Sequence, residues 1–75
     1  MSPKIPRWTA KQLIRFLKEH GFHEKSQKGS HLHLINPSTG KQTTVPIHSG
    51  RIIGSGLLQA ILSQSGISLD EIFLF

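Results

Sequence analysis

The run Lys28-Gly29-Ser30-His31-Leu32-His33 gathers within six residues the groups needed to move protons around a phosphodiester. Leu32 and Leu34 alternate with His31 and His33, the period of a half-buried strand, so both histidines are expected to project from the face opposite the leucines. Strand geometry puts them about 7 Å apart. Gly29 would let a phosphate or sugar approach the backbone, Ser30 offers a hydroxyl, and Lys25, Lys28 and Arg51 bring positive charge. RNA can be cut without a metal if the ribose 2′-hydroxyl attacks the adjacent phosphate. One group takes that proton, a second protonates the leaving oxygen, and cations balance the charge gathering on the phosphorus oxygens. Histidine as a residue type suits either proton step, because an ordinary pKa near 6.5 makes both forms available at neutral pH. One such group typically contributes about 10²–10⁴ in rate.

Other readings of the same residues stay open. His31 and His33 could chelate zinc with His48 as a third ligand, but there is no Cys, and the four acids, Glu19, Glu24, Asp70 and Glu71, lie outside the segment. No metal and no cofactor are therefore expected. A face that binds RNA without cutting it is the main rival. A purely protein-binding domain, using the polar first strand and the apolar tail, is the third. His20 and His23 are read as solvated polar residues.

The whole chain is consistent with a polyanion partner: net charge is +5 and the pI is about 10.3. With 75 residues there is room for one domain, 1–75, burying roughly 60% of its unfolded surface. The absence of cysteine rules out disulfides and thiolate metal sites. A scaffold this thin must carry its site on the surface. There is no apolar run long enough to span a membrane, and Met1-Ser2-Pro3-Lys4-Ile5-Pro6 lacks the apolar stretch of a signal peptide, so a cytoplasmic location is expected.

The elements that must position the histidines follow from periodicity and punctuation. Residues 1–8, with Pro3 and Pro6, are expected to form a loose arm. Thr9-Ala10-Lys11-Gln12 reads as a capping box opening a helix over about 10–20, with Leu13, Phe16 and Leu17 as its apolar stripe, Ile14 widening it and Gly21 ending it. Phe22 to Lys28 is placed as a first strand by its position alone. Ser30 to Ile35 is the second strand, and Asn36-Pro37-Ser38-Thr39-Gly40 closes a hairpin. Gln42-Thr43-Thr44-Val45 is the returning strand, with Pro46 at its end or an edge. After a glycine-punctuated loop, Leu57, Leu58, Ile61 and Leu62 mark a second helix that Gly66 ends. Ser68-Leu69-Asp70-Glu71 is a second capping box before Ile72-Phe73-Leu74-Phe75, so residues 68–75 form a short apolar tail, either docked on the core or left exposed. The predicted fold is α+β, in the order α-β-β-β-α. It is a three-stranded antiparallel sheet with two helices on one face, similar in layout to double-stranded-RNA-binding domains.

Four pieces in order resemble the HicA toxin family, the mRNA-cleaving half of a bacterial toxin–antitoxin pair. They are Lys11 to Leu17 running into Gly21-Phe22, then Gln27-Lys28-Gly29-Ser30-His31, then Thr44-Val45-Pro46-Ile47-His48, and last Ile61 to Ile67. The resemblance implies an endoribonuclease, or mRNA interferase, whose catalytic residue is His31. It implies cleavage of mRNA without a metal, a consequent block of translation, and inhibition by a HicB-type antitoxin covering the active face. Lys25, Lys28, Gly29, Ser30, His33, His48 and Arg51 are the residues expected to bind RNA. Two departures from the family pattern stand out. Leu32 follows the catalytic histidine where the family often has a second histidine, and His33 stands where an apolar residue is common. The first strand is also unusually polar at Glu24-Lys25-Ser26. The second proton-transfer group is therefore left open among His33, His48 and water.

Overall fold

A computed structural model describes residues 5–75. Helix α1, Ala10–Glu19, starts where Gln12 Oε1 accepts from the Thr9 backbone N–H at 2.9 Å. The Thr9 hydroxyl donates to the same oxygen at 3.3 Å. Ala10, Leu13, Phe16 and Leu17 form its buried stripe, and Ile14 is half-buried beside them. Gly21, at φ 92°, ends the helix in a Schellman arrangement: the Phe22 N–H donates to the Leu17 carbonyl and the Gly21 N–H to that of Lys18. The turn drops Phe22 into the core and sends the chain back as a strand.

Strands β1 (His23–Lys28), β2 (His31–Ile35) and β3 (Gln42–Pro46) pair antiparallel in the order β1-β2-β3. Gly29 and Ser30 alone separate β1 from β2, and Gly29 at φ 57° occupies the first position of this two-residue turn. A glycine there followed by a residue of negative φ matches the type II′ hairpin pattern, whose twist suits the flanking strands. The longer loop between β2 and β3 is held by the buried Asn36. Its Oδ1 accepts from the Ser38 N–H at 2.9 Å and its Nδ2 donates to the His20 carbonyl at 3.3 Å, tying the loop to the end of α1.

Helix α2, Ser55–Ser65, packs over β3, and both helices cover the same sheet face. Leu32, Leu34 and Val45 from the sheet meet Leu13, Phe16, Leu17, Leu58, Ile61 and Leu62 from the helices in one core. This is the α+β fold the sequence predicts, with one change of helix face. Leu57 does not join the buried stripe. The stripe runs through Leu58, Ile61, Leu62 and Ser65, and Leu57, one residue or about 100° round the helix, is 44% exposed.

One expectation for the chain ends is corrected and the alternative at the other is decided. Met1 to Lys4 lie outside the described residues, but residues 5–8 are not a loose arm. Ile5 and Trp8 pack against the core, the Trp8 ring lies 5.2 Å from that of Phe16, and the Trp8 carbonyl accepts from the Ile53 N–H at 2.7 Å. The apolar surface of the indole anchors this segment even though Pro6 lacks a backbone N–H to pair. The tail is both docked and exposed. It forms a 3₁₀ helix, Leu69–Leu74, capped by the Ser68 hydroxyl, with Ile72 buried and Leu74 80% exposed. Phe75 returns to stack edge-on against Trp8 and Phe16.

Candidate active site and nucleic-acid interface

The register of the sheet sets out its open face row by row. Lys28, His31 and Pro46 lie directly opposite one another across the three strands; Ser26, His33 and Thr44 form the next row, and His23, Ile35 and Gln42 the third. Directly opposed residues in an antiparallel pair have Cβ atoms about 4.5–5.5 Å apart and share a face. Lys28 and Pro46 therefore flank His31, and His33 stands one row away, as the alternation with the leucines predicts. His31 is exposed. His33 is half-buried, and its Nδ1 lies 3.1 Å from the Thr44 hydroxyl, while its Nε2 makes no hydrogen bond among the described residues.

The other expected binding residues fall into two groups. Ser30 and Gly29 form the β1–β2 turn beside His31, and the Ser30 carbonyl accepts from the Ile47 N–H, which binds the turn to the end of β3. Gly29 has open space where a Cβ would stand, so the turn's positive φ is what calls for glycine there. His48 and Arg51 sit on neither strand nor helix. They form a tight turn, in which the Arg51 N–H donates to the His48 carbonyl at 3.0 Å, just past Pro46. Lys25 is the outlier. It is the extra residue of a β-bulge between Glu24 and Ser26, has no opposite partner on β2, and lies three positions, roughly 10 Å, along β1 from Lys28.

No acidic residue occurs between Lys25 and Leu69, the stretch that holds the hairpin, β3, the following turn and α2. Glu24, the nearest acid in sequence, pairs with Lys18 of α1. The open face thus presents cations with no carboxylate among them, a surface suited to a polyanion. Among the described residues, no cluster of three or more His, Cys, Asp or Glu could hold a metal ion, and no helix is long and apolar enough to cross a membrane.

Two residues refine the reading of the sequence. Thr44 supports the His33 ring, and the hairpin register was the signal that could have found it. His20, expected to be merely solvated, is half-buried. Its ring lies 4.2 Å from that of Phe16, its Nδ1 is 2.9 Å from the Phe16 carbonyl, and its Nε2 is 4.0 Å from a Glu71 carboxylate oxygen. It joins α1 to the C-terminal 3₁₀ helix, whereas His23 is exposed as expected. A groove of about 660 Å³ runs elsewhere, along Lys11, Ile14, Arg15 and Lys18 of α1. Glu19 and Ile47 complete its lining, and none of the histidines of the sheet face belongs to it.

The family model of the HicA toxin of bacterial toxin–antitoxin systems matches residues 10–67, which takes in α1, the whole sheet and α2. No curated protein matches the chain. A match over that span of a 75-residue chain shows that it belongs to the HicA toxin family of bacterial toxin–antitoxin systems.

Proposed function

We propose that this chain is a metal-independent endoribonuclease that cleaves mRNA and so blocks translation, with His31 as its catalytic residue. The carrying observation is the open-face row that sets the exposed His31 directly opposite Lys28, with His33 one row away. The ribose 2′-hydroxyl attacks the adjacent phosphorus, a 2′-oxygen–phosphorus bond forms, and the phosphorus–5′-oxygen bond breaks. The products are a 2′,3′-cyclic phosphate and a 5′-hydroxyl. His31 carries one of the two proton transfers. His33 is the best-placed group for the other, because it shares the face and Thr44 fixes its ring. Lys28 balances the charge on the phosphate oxygens, and the Gly29-Ser30 turn, His48 and Arg51 border the strand of RNA.

A HicB-type antitoxin would act by covering this face. An acidic partner gains a fast encounter with a chain of net charge +5 and competes with RNA for the same cations. The test is cleavage of a defined RNA by the purified chain in EDTA, with the product ends identified. Cleavage that persists, leaves cyclic or 3′-phosphate ends and vanishes in His31→Ala supports the reading. Activity lost in EDTA and restored by zinc would point to the His31/His33 chelate. RNA binding that His31→Ala leaves intact, with no cleavage by the wild-type chain, would point to a non-catalytic RNA-binding module.

A further inference from the structure

Where β3 runs out, a shallow groove of about 150 Å³ opens between Pro46, His48, Arg51, Ile52 and Leu57. Pro46 belongs both to this groove and to the row of His31, so the two are continuous. Ile52 and Leu57 are each 44% exposed, large aliphatic side chains left in water on either side of the Gly54 that precedes α2. The remaining exposed large apolar residues among those described, Phe73, Leu74 and Phe75, are all in the C-terminal tail, so this pair forms a patch of its own. The groove is smaller than the roughly 300–1,000 Å³ of a typical small-molecule cleft. Its size and its lining, aliphatic walls with a guanidinium and an imidazole, suit a single flat heterocycle carrying an anion.

We infer that this groove holds one unstacked nucleobase of the RNA next to the phosphate at His31, with Ile52 and Leu57 as apolar walls and Arg51 against the base or its phosphate. The inference rests on the RNA-cleaving reading of His31. Its chemical reason is alignment. The 2′-oxygen, the phosphorus and the 5′-oxygen must come into line for the attack, and regular helical stacking holds the 2′-oxygen off that line. Drawing one base out of the stack frees the ribose to rotate. Proteins commonly hold such splayed bases against apolar side chains and arginine planes. Cleavage is then confined to nucleotides that are free to leave a stack, and a continuous duplex is spared.

The experiment uses a 2′-O-methyl RNA strand with a single ribose, so that only one linkage can be cut. The base on each side of that linkage is removed in turn. Removing one of the two should lower wild-type kcat/KM roughly tenfold. Leu57→Ser and Ile52→Ser should cause a similar loss on the intact strand and no further loss on the abasic strand. Losses that simply add, or no loss at all, overturn the inference. A second measurement does not depend on cleavage: the same strand with a 2′-deoxy sugar at the site and 2-aminopurine as its base. Emission should rise on binding to the wild-type chain as the base unstacks, and rise less with Leu57→Ser. That signal without cleavage of any RNA would sink the catalytic reading and leave the groove as a base site. Cleavage that ignores the base, with no signal, would do the reverse. Variants that handle RNA like the wild type but escape inhibition by the antitoxin would assign the patch to the protein partner and overturn the inference.

Discussion

Adjacent residues of β2 live in two different solvents. Leu32 and Leu34 lie under the helices and are almost entirely buried, whereas His31 is exposed and His33 half-exposed on the other side. The two edge strands repeat the contrast. β3 is covered by α2 on one face, while every residue of β1 is exposed, including Glu24 and Gln27 on the helix side. β1 is thus an edge strand made of polar residues, with two lysines and a bulge, features that discourage another chain from adding to it. In a chain this small, stability has been gathered on one side of the sheet and around β3. The other side is free to carry charge and chemistry that a core would not tolerate.

That division can be probed by substitutions that should act on one side only. His31→Ala should lower RNA cleavage by about 10²–10⁴, as expected for loss of one acid–base group, while thermal melting stays within about 0.5 kcal/mol of wild type because the side chain is exposed. Leu34→Ala, three residues away and fully buried, should cost roughly 2–5 kcal/mol in denaturant unfolding. A domain of this size can lose its fold to that change. A third variant crosses the divide. Gly29→Val should cost about 1–2 kcal/mol through its positive φ and should also lower activity, because the same turn aligns Lys28 with His31. Thr44→Val should leave the fold within about 1.5 kcal/mol and reduce cleavage severalfold. If Thr44 acts through His33, Thr44→Val should have no effect in a His33→Ala background. The smallest effect is expected from Glu24→Gln. Its pairing with Lys18 is half exposed at both ends and is worth at most about 1 kcal/mol, fading with added salt.

What could be read from the sequence was whatever a local rule controls. The α1 stripe, the glycine that ends it and the alternation through His31 to Ile35 all depend on neighbours in the chain, and each is found as expected. β1 offered no apolar pattern because neither of its faces is covered. The sequence suggests phosphate-binding chemistry for the Gly29-Ser30 pair, and only the register shows it to be a two-residue hairpin turn. Leu57 and Leu58 are equally apolar in sequence, and only packing over β3 decides which of them is buried. The packing of Trp8 and His20 escapes the sequence for a related reason. Their partners, Phe16, Ile53, Phe75 and Glu71, come together only in the folded chain.

The two-residue turn at Gly29 also bears on how locally the open face is assembled. Lys28 and His31 meet across it after only three residues of chain, and Thr44 reaches His33 from eleven residues away. Hairpins of this kind close in about 1–10 μs. On its own, a hairpin is at best marginally stable in water. The open face is therefore built from contacts close in sequence, and it becomes durable only once α1 and α2 have sealed the leucines on the reverse side.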